Sequence, residues 1–473
     1  MYRFLSSITL SLVLTAGPVL AAHRVPLAGP QVIGFREAVG MAFRDSPSLK
    51  RVRARRSMAK AALEAQRGRL LPHLVLLWEA QRSNNPLAVL GEELGERKAS
   101  FADLGLGEYT GSSGLNAIPP ALNQPGYANE FTTALLLTIP VWSWGGRREV
   151  IAAAEARRSA ASELLRAARG ALTLEVLRRY EGVASARALL RAARADRRMM
   201  HVVLRVTAER ARQGLALPSD LLRARAADAQ SRLLVARMIS GLATALDDFR
   251  LTLGVSSRRP LVPARSPLRV RPLTETLLRA EDEALAVNPD LLAVDRRVEA
   301  RRRLVAAARA RRWPSLSLSL EHDWNDGTPG FRAPSNTFLA TVRWPLFTFG
   351  AERGRVGVAR ARLRSARAER TASRRRLRVR VSRLWRGVRL ARLRFRVALL
   401  ARKAARSSAH ALLLRYRHGL ATLGDLLRAE ARVERTQADV VEARYAWLLE
   451  QAALRFAVGR LNPRDVVPSR EAP

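Results

Sequence analysis

The spacing of hydrophobic positions changes several times along the chain. "VSRLWRGVRLARLRFRVA" places Val381, Leu384, Val388, Ala391, Phe395 and Ala398 at steps of three and four. That is a narrow helical seam of the kind that packs one helix along another. The arginines between them fall on the other faces, where their stems can cover apolar surface. "RLRVRVS" alternates locally, but the surrounding helical run outweighs it. "SLSLSLEHDW" alternates throughout: Leu316, Leu318 and Leu320 face one way, Ser315, Ser317 and Ser319 the other, as in a strand wet on one side. In "TFLATVRW", Phe338, Ala340, Val342 and Trp344 oppose Thr337, Leu339, Thr341 and Arg343. "PHLVLLWEAQR" and "FTTALLLTI" are more apolar and alternate poorly.

The pattern is written twice. "RQGLALPSDLLRARA" from Arg212 returns as "RHGLATLGDLLRAEA" from Arg417, 205 residues on. Pro140-Val141-Trp142-Ser143-Trp144-Gly145 returns as Pro345-Leu346-Phe347-Thr348-Phe349-Gly350, and Leu253-Gly254 as Val458-Gly459, at the same offset. Upstream, Pro47 matches Pro289 and Pro72 matches Pro314 at an offset of 242, so the first half holds 37 extra residues between Pro72 and Pro140. Constant spacing with one permissive loop marks a duplicated structural unit.

Each half reads as helix, strand, strand, helix. The first repeat covers 22–254, with a helix from about Phe35 to Leu71, strands about 72–82 and 129–140, and a long helix about 146–213. A Pro-rich linker, 255–273, leads to the second repeat, 274–459, with a helix from about Thr274 to Trp313, strands about 314–324 and 337–345, and a long helix about 351–418. Return helices run from about Ser219 to Leu253 and from about Gly424 to Ala457, and 460–473 is left as a tail. A helix from Gly146 to Gln213 is roughly 100 Å long at about 1.5 Å per residue. Ser219–Leu253 and Thr274–Trp313 stacked end to end span about the same distance, giving a rod with no globular centre.

The strands suit a membrane barrel, whose segments of about ten residues are apolar outside and polar inside. Trp78, Trp142, Trp144, Trp313, Trp324 and Trp344, six of the eight tryptophans, lie in or beside them, and indoles gather at membrane interfaces. Four strands cannot close a barrel, since about eight is the smallest useful number, so the chain has to assemble with copies of itself. Residues 1–21 read as a secretory signal peptide: Arg3, an apolar run from Phe4 to Ala16, the breakers Gly17 and Pro18, then Val19-Leu20-Ala21. No later stretch is apolar enough for a transmembrane helix.

Net charge is +42, and 79 of the 83 basic residues are arginine. Such a balance raises anionic partners, nucleic acid among them, but export and the lack of a nucleic-acid motif argue against the latter. There is no cysteine, which excludes disulfides, thiolate metal sites and a lipidated cysteine anchor. His23, His73, His201, His322, His410 and His418 show no metal-ligand spacing, and no GxxxxGK[ST] occurs. "GSSG" at Gly111–Gly114 lacks a nucleophile context. No catalytic, cofactor or metal constellation is read, and the chain is expected not to be an enzyme.

Signal peptide, duplicated plan, "IPVWSWGG" and "WPLFTFGAERG" at strand-to-helix junctions, and the paired "GLALPSDLLRARA" and "GLATLGDLLRAEA" turns together resemble the TolC-like outer-membrane efflux proteins over essentially the whole mature chain. The resemblance implies a mainly α chain with a membrane β-barrel part. Three copies would form a homotrimer with one 12-stranded barrel in the outer-membrane lipid of a Gram-negative bacterium. Long α-hairpins would form a periplasmic tunnel girdled by the linker. It implies an exit duct served by a periplasmic adaptor protein and an inner-membrane pump. Adaptor contact would map onto Gly214, Leu215, Ser219, Asp220 and Leu221, and onto Gly419, Leu420, Asp425 and Leu426. Gly214 and Gly419 would end the long helices in the left-handed conformation; Ser219, and Thr422 or Gly424, would start the return helices. Pro140, Gly145, Pro345 and Gly350 would form the strand-to-helix junctions, and Trp142, Trp144, Trp313, Trp324 and Trp344 the interface aromatics. The acidic rings that narrow the family's tunnel find no clear place here, and the arginine excess could give a basic lumen instead. The competing reading is an exported periplasmic coiled-coil scaffold without a barrel, which leaves the Leu/Ser strand and the clustered tryptophans unexplained.

Overall fold

The computed structural model describes residues 31–112, 116, 118–256, 260–265, 268–273 and 276–468. The signal peptide, His23, the second half of "GSSG" and parts of the linker and tail lie outside them. Two helices of 67 residues each, α5 (Gly146–Arg212) and α9 (Ala351–Arg417), form the frame. The return helices α6 (Pro218–Leu253) and α10 (Leu423–Val458) pack against them. The shorter helices are α1 (Phe35–Asp45), α2 (Pro47–Gly68), α7 (Leu277–Val287) and α8 (Pro289–Ala310). In the first half's long loop, α3 (Pro86–Gly95) and α4 (Pro120–Asn123) are short. The arginine-rich "RLRVRVS" is helical inside α9, and Val381, Ala391 and Ala398 of its seam are buried.

Two expectations about the shorter helices fail. The helix read through Phe35–Leu71 breaks at Ser46, and its counterpart breaks at Asn288. Each break precedes a proline. Proline is favoured at the first helical position but drives the residue before it out of the helical region; ψ is 122° at Ser46 and 121° at Asn288. The stacking also differs. The α6 helix ends against the break between α1 and α2 of its own half, rather than against the second half's helix. A Cβ on Gly254 would lie 2.9 Å from the carbonyl of Asp45, and one on Gly459 3.0 Å from Cα of Asn288. Asn288 ties the second joint: its Oδ1 accepts from Leu291 N (3.1 Å) and its Nδ2 donates to Ala457 O (2.8 Å). So α5 packs against α2 and α6 of its own half and against α8 and α10 of the second.

These joints lie in a belt where the main core sits. Phe35, Tyr180 and Phe249 meet edge to face with centroids 5.8 Å apart in each pair. Burial pushes the Tyr180 phenol up to about 12. The Pro-rich linker and the tail, to which the sequence pattern assigns no strands, supply strands here. β1 (Gln31–Ile33) runs parallel to β4 (Leu261–Pro263), and β5 (Leu268–Val270) runs antiparallel to β8 (Val466–Pro468). The tail is thereby tied back to the linker between the halves.

At the far end, β2 (His73–Ser83), β3 (Ala128–Trp142), β6 (Ser315–Asp326) and β7 (Pro334–Arg343) form one antiparallel sheet in the order β2-β3-β6-β7. The β3–β6 pairing joins the halves, and the register shifts between Pro140 and Trp142. Pro140 cannot donate to the ladder, and a bulge at such a point re-aims the strand toward the helix that follows.

Candidate functional site

Register gives the sheet two chemistries. Leu76, Leu135 and His322 share a row, as do Leu74, Leu137, Leu320 and Phe338, while Ile139, Leu318 and Ala340 lie in the next row of the same face. Ser315, Ser317, Ser319, Thr138, Thr337, Thr341 and Arg343 lie on the other. The first-half strands alternate poorly because Val75, Leu77 and Leu136 fall on the polar face, yet the ladder leaves their parity unambiguous.

Aromatics stand in two tiers on this sheet. At the helix end, Trp142 lies 5.9 Å from Trp144, which lies 5.0 Å from Trp313; Trp344 is exposed nearby. At the other end Trp324 meets His322 and Phe331, and Trp78 meets Phe131. Leu316, the partner of Trp142, is eight residues from Trp324, about 26 Å of strand at ~3.3 Å per residue and about 20 Å of depth at a ~40° tilt. Trp144 and Trp313 extend this toward the ~25 Å apolar band of such barrels.

The strand-to-helix junctions are built alike. Gly145 and Gly350 cap α5 and α9 with φ of 72° and 89°, and the residues before them, Trp144 and Phe349, are also left-handed at 47° and 44°. A non-glycine residue there costs about 1–3 kcal/mol. Both halves maintain the same pair, so the turn from strand to helix is a feature of the repeat. Beside it, on the polar face, lies a hollow of about 1120 Å³ lined in part by Arg69, Arg147, Arg311, Arg343 and His73. Arg69 and Arg311 are repeat equivalents, and both are exposed.

The opposite end of the helices carries the paired turns. Gly214 and Gly419 are left-handed, with φ of 72° and 80°. Leu215 and Leu420 are 61% and 77% exposed beside them. Ser219 and Asp220 sit in the first turn of α6, and Leu221 is half-buried. Ser219 is not the cap: Pro218 takes the first helical position, so Leu217 caps α6 without a side-chain bond. Thr422 caps α10, its hydroxyl accepting from Asp425 N (3.1 Å). The Thr422 hydroxyl and Arg428 hold the Asp425 carboxyl below its ordinary range. Leu426, expected on the contact surface, is fully buried with Leu423 and Tyr416 between the two turns. An apolar side chain one turn into α10 packs inward there, so its role is to fasten the tips together.

That fastening involves residues the sequence reading missed. Arg210 donates to Tyr416 O (2.5 Å), Arg417 O (3.3 Å) and Leu215 O (3.1 Å), and lies 5.1 Å from the Tyr416 ring centre. The Tyr416 and Thr207 hydroxyls are 2.9 Å apart and buried. One side chain thus bridges both turns. The available signal was Tyr416 itself, an aromatic three residues before Gly419 where the first half has Ala211.

Residues 38–255 and 281–460 match the model of a family described as outer membrane efflux protein. No curated protein matches the chain. Among solved structures, a membrane protein from Pseudomonas aeruginosa is 21% identical with a TM-score of 0.75, covering 96% of this chain and 97% of that one. The outer membrane protein VceC from Vibrio cholerae is 20% identical with a TM-score of 0.72, covering 90% and 96%. The Campylobacter jejuni CmeC outer membrane channel is 16% identical with a TM-score of 0.73, covering 97% and 95%. At such identities the likeness is one of fold.

Proposed function

The chain belongs to the outer membrane efflux protein family, with its strands in the outer membrane and its helices in the periplasm, and on that premise we propose that it is the exit duct of a tripartite efflux or secretion system. The observation that carries this reading is the four-stranded sheet, apolar on one face and polar on the other. Its outer strands β2 and β7 each have one free edge among the described residues. An unpaired edge in lipid costs several kcal/mol per backbone group. Joining β7 of one copy to β2 of the next removes every edge. Three copies give 12 strands, above the barrel minimum of about eight. The helices then line a tunnel from the sheet to the tips, and the belt encircles it.

In this reading the tips receive a periplasmic adaptor, which couples the duct to an inner-membrane pump. Gly214, Leu215, Ser219, Asp220, Leu221, Gly419, Leu420 and Asp425 form the contact surface. Exposed leucines beside left-handed glycines offer an apolar, sharply turned knob to a partner helix. The scaffold alternative leaves the apolar sheet face and its free edges without a purpose. Insertion of the purified protein into a planar bilayer, with its mass measured in parallel, tests the proposal. A trimer with discrete conductance steps supports the duct, and a water-soluble particle that never conducts overturns it.

A further inference from the structure

Between the two halves, at the level of the belt, α5 and α10 part to leave a pocket of about 710 Å³. Of its 16 lining residues six are arginine: Arg187, Arg191 and Arg194 from α5, Arg444 from α10, Arg402 from α9, and Arg265 from the segment after β4. The chain at large has 79 arginines in 473 residues, so the lining is about twice as rich; a hollow between α8 and α9 has the same share, three arginines in eight lining residues, but there Asp295 and Glu299 stand among them. The hollow at the strand-to-helix junction, with four arginines in 21 lining residues, shows no such excess.

These charges are neutralised locally only in part, by Glu181, on whose carboxyl Arg444 acts. Glu181 is the only acidic residue in the lining. It is buried and accepts from Leu268 N (3.0 Å), and burial raises its pKa. The carboxylates on this stretch, Glu175 and Asp248, pair with Arg178 and Arg179 instead. Among the described residues none of the six has an ion-pair partner within 4.0 Å. Arg187, which donates to Pro263 O (2.8 Å), has its pKa drawn down by burial and then by Arg265, with Arg191 also opposing it. Further along the same helices, Asp196 and Glu430 have pKa values raised by burial and by acidic neighbours, Glu434 and Asp196 respectively. The arginines do not draw these acids into partnership.

We propose that this pocket binds a compact multivalent oxyanion carrying phosphate or carboxylate groups. Arg187, Arg191 and Arg194 stand one turn apart on one face of α5, a ladder about 10 Å long at ~1.5 Å per residue. That is enough for two or three anionic groups, which guanidinium forks grip in pairs. Arg265, Arg402 and Arg444 close on them from three other segments. The bound anion ties the first long helix, the second hairpin and the linker together, at a seam inside one chain. The site therefore stands whether or not the duct reading holds.

The test titrates the purified full-length protein in detergent with inorganic pyrophosphate, and separately with citrate, at ionic strength fixed by NaCl. Saturable binding of one anion per chain is expected, with a melting midpoint that rises with the anion and not with matched NaCl. The Arg191→Gln/Arg444→Gln pair should weaken binding at least tenfold, while Arg392→Gln/Arg394→Gln, both exposed on α9 outside the lining, should leave it unchanged. Tighter pyrophosphate assigns phosphate chemistry, and tighter citrate assigns carboxylate. If the first pair misfolds, Arg194→Gln/Arg402→Gln serves in its place. Unaltered affinity in the lining variants, or heat that merely follows ionic strength, overturns the proposal.

Discussion

Gly254 and Gly214 share a backbone conformation but not an environment, which makes them a matched pair. Their φ values are 75° and 72°. A side chain on a left-handed residue costs about 1–2 kcal/mol, so Gly214→Ala, with nothing within 4 Å of the added carbon, should cost about that. Gly254→Ala places the same carbon 2.9 Å from both the C and O of Asp45 and 3.2 Å from Ser46 N. Those are backbone atoms at the α1–α2 break, which cannot rotate away. Overpacking of this kind adds about 1–3 kcal/mol, for a total of about 2–5 kcal/mol. Gly459→Ala should behave like Gly254→Ala, since its carbon would lie 3.0 Å from Asn288 Cα and 3.1 Å from Val287 O. The assay is urea unfolding in detergent followed by the helical circular dichroism signal. Equal midpoints for Gly254→Ala and Gly214→Ala would refute the argument that the return helices end against the helix breaks.

Three further outcomes follow from the geometry. Leu318→Arg, on the apolar sheet face, should cost about 2–4 kcal/mol if buried at mid-membrane and deplete the membrane-assembled form, whereas Ser317→Arg on the opposite face should assemble normally; quantitative blotting of outer-membrane fractions checks both. Arg210→Ala removes the donor that bridges the two turns, and should raise amide exchange at the tips while leaving protection in the belt unchanged. Asp196 is pushed up to about 6 by burial and Glu434. Because its folded pKa exceeds the unfolded value, its stabilising contribution is full below about pH 4 and is lost as pH rises to about 6. Asp196→Asn should therefore stabilise the protein by about 1–2 kcal/mol at pH 8 and by less at pH 5, read from urea midpoints at the two values.

The repeat was legible because packing enforces constant spacing. A one-residue slip in a 67-residue helix or a paired strand displaces everything after it, so the junctions at Gly145 and Gly350 and the turns at Gly214 and Gly419 kept their offsets. The breaks at Ser46 and Asn288 were visible only as prolines, since helical apolar spacing continues on both sides and proline is tolerated at a helix start. The β5–β8 pairing was not legible. Three residues carry no local signal, and what orders Val466–Pro468 is a partner almost 200 positions away. Leu426 shows the same limit. Its place in "GDLLRAEA" fits an exposed tip or a buried one, and the choice is made by Tyr416 and Val203 from other helices. The Arg210 contacts to Tyr416 and Leu215 likewise depend on the two turns meeting in space.

Single-channel recording of the detergent-extracted protein in a planar bilayer, alongside its mass, decides whether three copies of this chain close one conducting barrel. Uniform conductance steps from a particle of three chains are the expected result. A monomer, or a soluble assembly that leaves the bilayer silent, would contradict it.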